Sequence, residues 1–207
     1  LLRGENGVRV PNPGQVFGNL LILGSAPGEG WKSPPGDIRA FDVVTGKLDY
    51  EVELAVVIGT GGRDVPRADA LKHVFGYTII NDVTARDVQM RHAQWDLGKS
   101  FDTFCPMGPW IATADELDGR ATRVRGWING ELRQDGKTQD MIFDIPTLIE
   151  TCSRGITLLP GDIIATGTAA GVGMGMKPPR WLQHGDVVRI EIDGIGTLQN
   201  RFVLEGA

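Results

Sequence analysis

The run from Leu48 to Gly59, Leu-Asp-Tyr-Glu-Val-Glu-Leu-Ala-Val-Val-Ile-Gly, restricts the architectures open to this chain more than any other stretch. Its apolar residues are aliphatic and largely β-branched, it closes on a glycine, and it is too short to span a bilayer, so it reads as a buried strand. Side chains alternate along a strand, which sets Glu51, Glu53, Ala55 and Val57 on one face and Val52, Leu54, Val56 and Ile58 on the other. Two carboxylates therefore stand side by side where the rest is core. Like charges in such a place cost free energy unless they are neutralised, and a hard divalent cation with oxygen ligands would neutralise them. The alternative is a wet strand end on which Glu51 and Glu53 meet Lys or Arg.

Composition narrows the surroundings of that strand. The 207 residues carry 21 Lys and Arg against 26 Asp and Glu, a formal net charge of -5 with no basic block, which excludes a nucleic-acid or membrane-surface footprint. Cys105 and Cys152 make no disulfide framework, and no signal-peptide pattern or long apolar run is present, so a cytoplasmic protein is expected. Twenty-nine glycines and 12 prolines call for many tight turns. A mostly β chain with short helices (α+β) follows.

Local signals fill in the order of elements. Leu20 to Leu23 is a short strand; Ile38 and Ala40 alternate with polar residues up to the Thr45-Gly46 turn. From Arg67 to Phe75, Ala70, Leu71 and Val74 fall at helical spacing, with Gly76 as a stop. Tyr77 to Ile80 is a strand that delivers Asn81 and Asp82; Asp82 is placed either to meet the other carboxylates or to cap a helix from Thr84 to Met90. Asn129-Gly130 is a two-residue hairpin turn, and Asp144 caps a helix from Ile145 through Ser153, with Pro146 in its first turn and Gly155 past its end. Strands are expected at 163–166, 187–192 and 195–204. The loop Thr166-Gly-Thr-Ala-Ala-Gly-Val-Gly173 can offer backbone N–H groups and the Thr168 hydroxyl to an anion, or be a plain turn; its glycine spacing is neither a dinucleotide nor a P-loop fingerprint.

Taken in order, Glu51-x-Glu53, Asn81-Asp82-Val-Thr-Ala-Arg86-Asp87-Val-Gln89 and Lys99-Ser-Phe-Asp102-Thr-Phe-Cys-Pro-Met-Gly-Pro resemble the fumarylacetoacetate hydrolase family. Trp127-Ile-Asn-Gly-Glu-Leu, Leu159-Pro-Gly-Asp-Ile-Ile-Ala-Thr-Gly-Thr168, Gly171-Val-Gly173 and Gly185-Asp-Val-Val extend the resemblance from Leu48 to Val203. It implies a mixed β-sheet roll or sandwich of that family's C-terminal domain type, usually dimeric. It also implies Mg2+ or Mn2+ held by Glu51, Glu53 and Asp82, and a substrate pocket containing Arg86, Asp87, Gln89, Lys99 and Thr168. The implied chemistry is C–C bond cleavage in a 2-oxo or 2,4-dioxo acid, by acylpyruvate hydrolysis or oxaloacetate-type decarboxylation, or tautomerisation, through an enolate that the metal stabilises. Arg86 suits a substrate carboxylate by its planar fork and Lys99 as a point charge; each could instead be a surface cation. Asp102 could fix Lys99 or sit in a turn.

Two features depart from the family pattern. Phe17 to Lys47, with Gly-Asp-Ile-Arg-Ala-Phe-Asp-Val-Val-Thr-Gly-Lys, resembles one blade of a quinoprotein dehydrogenase propeller, but it occurs once, and a propeller needs several. Residues 1–47 are therefore expected to be an atypical N-terminal segment, and 48–207 the catalytic domain. In the family a His paired with a Glu, upstream of the Glu-x-Glu strand, serves as base; here no His precedes His73. His73, His92 and His184 each fit a scaffold role. His92, between Arg86 and Lys99, is the best substitute catalytic base. Decarboxylation or tautomerisation is thus expected ahead of hydrolysis, the alternative being an idle metal-binding scaffold or fusion product.

Overall fold

Two sheets packed face to face carry the core. The four-stranded sheet runs Ile163–Ala165, Val52–Ile58, Val74–Asn81, Met107–Thr113, all antiparallel. The second sheet runs Glu131–Lys137, Arg123–Ile128, Val187–Ile192, Gly196–Leu204, antiparallel, and then Ile38–Ala40, parallel to its neighbour. In this computed structural model residues 46–91 and 93–203 are described in full, with the backbone alone of Leu204 and of the strands Val16–Phe17, Leu20–Leu21 and Ile38–Ala40. The blade-like phrase at 17–47 lies, apart from those strands and Gly46 and Lys47, outside the described residues, as does His92.

The alternation expected of the central strand is observed. Val52, Leu54, Val56 and Ile58 enter the large core between the sheets, where they join Ile79, Val124, Ile128, Val188, Ile190 and Phe202. Ala55 and Val57 face the other way, in a small cluster with Ile80, Cys105, Ile163 and Ala165. Pairing of Glu53 with Ile80 and of Ala55 with Thr78 fixes that register. The sheets approach closely at Gly126, where a Cβ would stand 2.6 Å from Val52 Cγ1. The result is a mostly β domain with a few short helices.

Several local expectations hold. Asn129 and Gly130 turn the chain at φ 52° and 84°, joining Ile128 to Glu131. The helix is Ile145–Ser153, and its cap Asp144 accepts from Thr147 N at 2.9 Å. Others are corrected. The helix expected from Arg67 to Phe75 is a single 3-10 turn, Ala70–His73, after which Val74 already pairs with Ile58. Its helical spacing lost to strand pairing of Val74 and Tyr77, residues that fit a pleated surface better than a helix. The helix expected from Thr84 to Met90 is one turn, Arg86–Gln89, preceded by a strand Thr84–Ala85 that pairs with Leu48–Asp49. Its N-cap is Ala85, so Asp82 caps nothing. The 48–59 run is likewise broken at Tyr50 and Glu51, where the chain passes from the small sheet to the large one.

Candidate metal centre

Glu51, Glu53 and Asp82 come together at the end of the central strand pair. One carboxylate oxygen from each lies within 4.8 Å of the other two. Glu53 reaches this point from within the strand, Glu51 from the break just before it, and Asp82 from the residue after Val74–Asn81. Backbone bonds fix the junction: Asp82 N donates to Glu51 O at 2.9 Å, and Glu51 N donates to Asn81 Oδ1 at 3.1 Å.

Two buried cations stand against the cluster. Lys99 Nζ donates to Glu51 Oε2 at 2.9 Å, to Asp82, and to Thr84 Oγ1 at 3.1 Å, whereas Asp102 is exposed and does not hold it. Arg86 directs Nη2 to Glu51 Oε1 at 2.6 Å, Nε to Asp49 Oδ2 at 3.0 Å and Nη1 to Gln89 Oε1 at 3.1 Å. Arg86 and Lys99 are 5% and 8% exposed, so neither is the surface cation that the sequence alone allowed. Gly98 permits this packing: a Cβ there would sit 2.8 Å from Gln89 N.

The electrostatics are those of a crowded anionic site. Burial first, then the charges of Asp82 and Glu51, push Glu53 well above the usual carboxylate range. Burial lifts Asp82 to about 6, with repulsion from Glu51 adding and Lys99 opposing. Glu51 is also pushed up by burial, but Lys99 and Arg86 outweigh that and bring it below its ordinary value. For Lys99 and Arg86, burial works against the charge and the neighbouring carboxylates overcome it, so both stay cationic. Asp82 Oδ1 is buried with no hydrogen-bond partner. A buried, unpartnered oxygen in a cluster of three carboxylates fits a hard cation that takes oxygen ligands.

The glycine-rich loop closes one side. Gly167 N donates to Glu53 Oε2 at 2.8 Å. Thr168 Oγ1 donates to Val52 O at 3.0 Å and accepts from Gln134 Nε2 at 2.8 Å. Asp87, on the same helical turn as Arg86 and Gln89, is half-buried, its two carboxylate oxygens shielded from solvent without a hydrogen-bond partner and Oδ2 3.9 Å from Arg91 Nη2. His73 is half-buried, its Nδ1 2.7 Å from Thr60 O.

Sequence reasoning missed Thr84, Gln134 and above all Asp49. Asp49 is fully buried between Arg86 and the loop backbone. No side-chain pattern signals it: the strand is broken at Tyr50 and Glu51, so the parity of Glu51 and Glu53 does not carry over to Asp49, and its partners are distant in sequence.

A two-sheet β domain with a buried cluster of three carboxylates, braced by Arg86 and Lys99, is an arrangement that could hold a metal ion. The fumarylacetoacetate hydrolase C-terminal family matches residues 20–203, and the chain belongs to that family. It is 55% identical over 168 residues to oxaloacetate tautomerase YisK of Bacillus subtilis, a match covering 80% of this chain and 56% of the tautomerase. Among solved structures, fumarylacetoacetate hydrolase from Exiguobacterium antarcticum aligns with a TM-score of 0.80 and 54% identity, covering 83% of this chain and 62% of that one. The 2-hydroxyhepta-2,4-diene-1,7-dioate isomerase from Mycobacterium marinum aligns with a TM-score of 0.77 and 44% identity, covering 84% of this chain and 65% of that one. The chain spans about half the length of the curated relatives it matches. No helix among the described residues is long and apolar enough to cross a membrane.

Proposed function

We propose that this chain binds a small 2-oxo acid of the oxaloacetate type beside a divalent cation and passes it through its enolate, by tautomerisation or decarboxylation ahead of acylpyruvate hydrolysis. The observation that carries this reading is the cluster of Glu51, Glu53 and Asp82, oxygens within 4.8 Å, with Arg86 and Lys99 buried against it. The tautomerase relative supports the oxaloacetate class.

Glu51, Glu53 and Asp82 would hold Mg2+ or Mn2+. Such a cation supplies Lewis-acid stabilisation of negative charge developing on the substrate oxygens. Lys99, kept cationic by Asp82 and Glu51, stabilises anionic charge at its Nζ rather than accepting a proton. Arg86 keeps Glu51 turned inward through Nη2 and offers its charge to the substrate carboxylate, and Gln89 fixes the guanidinium through Nη1. Asp87 and Thr168 are assigned to the substrate side of the pocket. His92 is proposed as the group that moves the proton, on its place in the sequence between Arg86 and Lys99. A homodimer is proposed on family resemblance.

The test is a set of steady-state assays with Mg2+ on oxaloacetate enol–keto exchange, oxaloacetate decarboxylation and acetylpyruvate cleavage. The reading expects the first two to exceed the third and His92→Ala to slow all of them. Acetylpyruvate cleavage that dominates and ignores His92→Ala contradicts the proton-transfer assignment. A folded protein inert in all three assays contradicts the enzyme reading.

A further inference from the structure

The carboxylate of Asp49 has no solvent exposure and accepts from two sides. On one side is Arg86, with Nε and Nη2 at 3.0 and 2.9 Å from Oδ2. On the other are the backbone N–H groups of Gly173, 2.7 Å from Oδ1, and Met174, 2.9 Å from Oδ2. Tyr50 N completes the set at 2.9 Å from Oδ1. The fit leaves no slack: a Cβ on Gly173 would stand 2.8 Å from Asp49 Oδ1 and 1.9 Å from Arg180 O.

Each side leads on to a different carboxylate of the cluster. Arg86 is the donor to Glu51, through Nη2 at 2.6 Å. The loop that contains Gly173 and Met174 also contains Gly167, whose N–H is the donor to Glu53 at 2.8 Å. Tyr50 Oη ties the middle of that loop down by donating to Gly171 O at 2.8 Å. We propose that Asp49 is a positioning residue for the cation site: by gripping Arg86 and the glycine loop together, it sets the separation of Glu51 and Glu53, though it touches neither cation nor substrate.

A carboxylate is needed because all the partners are donors. Asparagine has the same shape but turns one acceptor oxygen into an NH2 group, which must face either the Arg86 guanidinium and the Met174 N–H, in place of Oδ2, or the Gly173 and Tyr50 N–H groups, in place of Oδ1. Glutamate brings an extra methylene to a space that Gly173 already fills. Partners that orient the ligands of a metal site are commonly worth about 10- to 100-fold in metal affinity when removed.

The inference rests on the metal-dependent reading of the site, and the experiment separates the two. Mn2+ affinity of the full chain is measured by calorimetry for wild type, Asp49→Asn, Arg86→Gln and the double variant, together with KM and kcat for oxaloacetate and a circular-dichroism melt. Asp49→Asn is expected to weaken Mn2+ binding about tenfold and to raise KM more than it lowers kcat. In the Arg86→Gln background, Asp49→Asn is expected to cost less than it does alone, because part of its effect runs through Arg86. Should Asp49→Asn not fold, Tyr50→Phe loosens the same loop without a clash by removing the Oη bond to Gly171 O, and weaker Mn2+ binding is expected from it as well. A variant that melts lower but binds Mn2+ within twofold of wild type, or single effects that simply add, overturns the proposal. Wild type that binds no Mn2+ overturns the metal-site reading itself.

Discussion

Lys99 Nζ stands 2.9 Å from Glu51 Oε2, so a carboxylate of the candidate metal cluster already has a cation bonded to it. The ammonium and a divalent ion neutralise the same charges. Removing one partner of a buried ion pair costs about 3–5 kcal/mol, so Lys99→Met is expected to lower the melting temperature of the metal-free protein markedly. Added Mg2+ should recover more of that loss in the variant than it adds to wild type, because the ion replaces the missing charge. Turnover should fall about 100-fold. Melts with and without Mg2+, alongside steady-state assays, check all three outcomes.

Metal binding should depend on pH with a defined sign. Asp82 is raised from 3.8 to about 6 in the fold. A raised group contributes stability that is fully present below its unfolded pKa, about 4, and is lost as the pH climbs through the folded value. Glu53, also raised, acts in the same direction; Glu51, lowered, acts in the opposite one and loses its contribution as the pH falls. Ligands must be deprotonated to hold a cation, so Mg2+ affinity is expected to rise between pH 5 and pH 7, around the Asp82 value of about 6. Calorimetric titrations at several pH values check this, and an affinity that does not change across the range contradicts it.

Stability away from the site has its own test. Asp144 caps the helix Ile145–Ser153 through Thr147 N and also accepts from the Thr147 hydroxyl at 2.6 Å. Asp144→Ala is expected to cost about 1 kcal/mol by denaturant titration and to leave Mn2+ affinity unchanged.

Thiol chemistry reports on the packing. Burial pushes the Cys152 thiol up to about 12, and burial together with Asp82 and Glu53 pushes Cys105 well above its ordinary value. Both should resist an aromatic disulfide reagent at pH 8 in the native protein and react on unfolding. Fast reaction of Cys105 in the native state would show that its cluster with Ala55 and Val57 opens, and fast reaction of Cys152 that the large core does.

Much of the fold was legible because it rests on short-range chemistry. The alternation of Val52 to Ile58, the Asn129-Gly130 turn and the Asp144 cap are each set by neighbouring residues, and each is found where the sequence puts it. The segment Arg67 to Phe75 was misread because helical spacing of three apolar residues is a weak signal beside the pairing of Val74 with Ile58. Glu51 and Glu53 were legible as charges in an apolar run, whereas Asp82 suited a helix cap as well and joined them only through the family resemblance. Asp49 was not legible, because its partners Arg86, Gly173 and Met174 lie 37 to 125 positions away and two of them offer only backbone N–H groups. Nothing in a side-chain pattern announces such a contact.

The most direct test of the metal centre is a calorimetric titration of Mg2+ into the full chain in the presence of oxalate, a mimic of the chelated enolate, repeated with Glu53→Gln and Asp82→Asn. The expected result is one ion per chain for wild type and no measurable binding for either variant. A folded wild type that takes up no Mg2+, or variants that bind it as well as wild type does, would contradict a cation site at Glu51, Glu53 and Asp82.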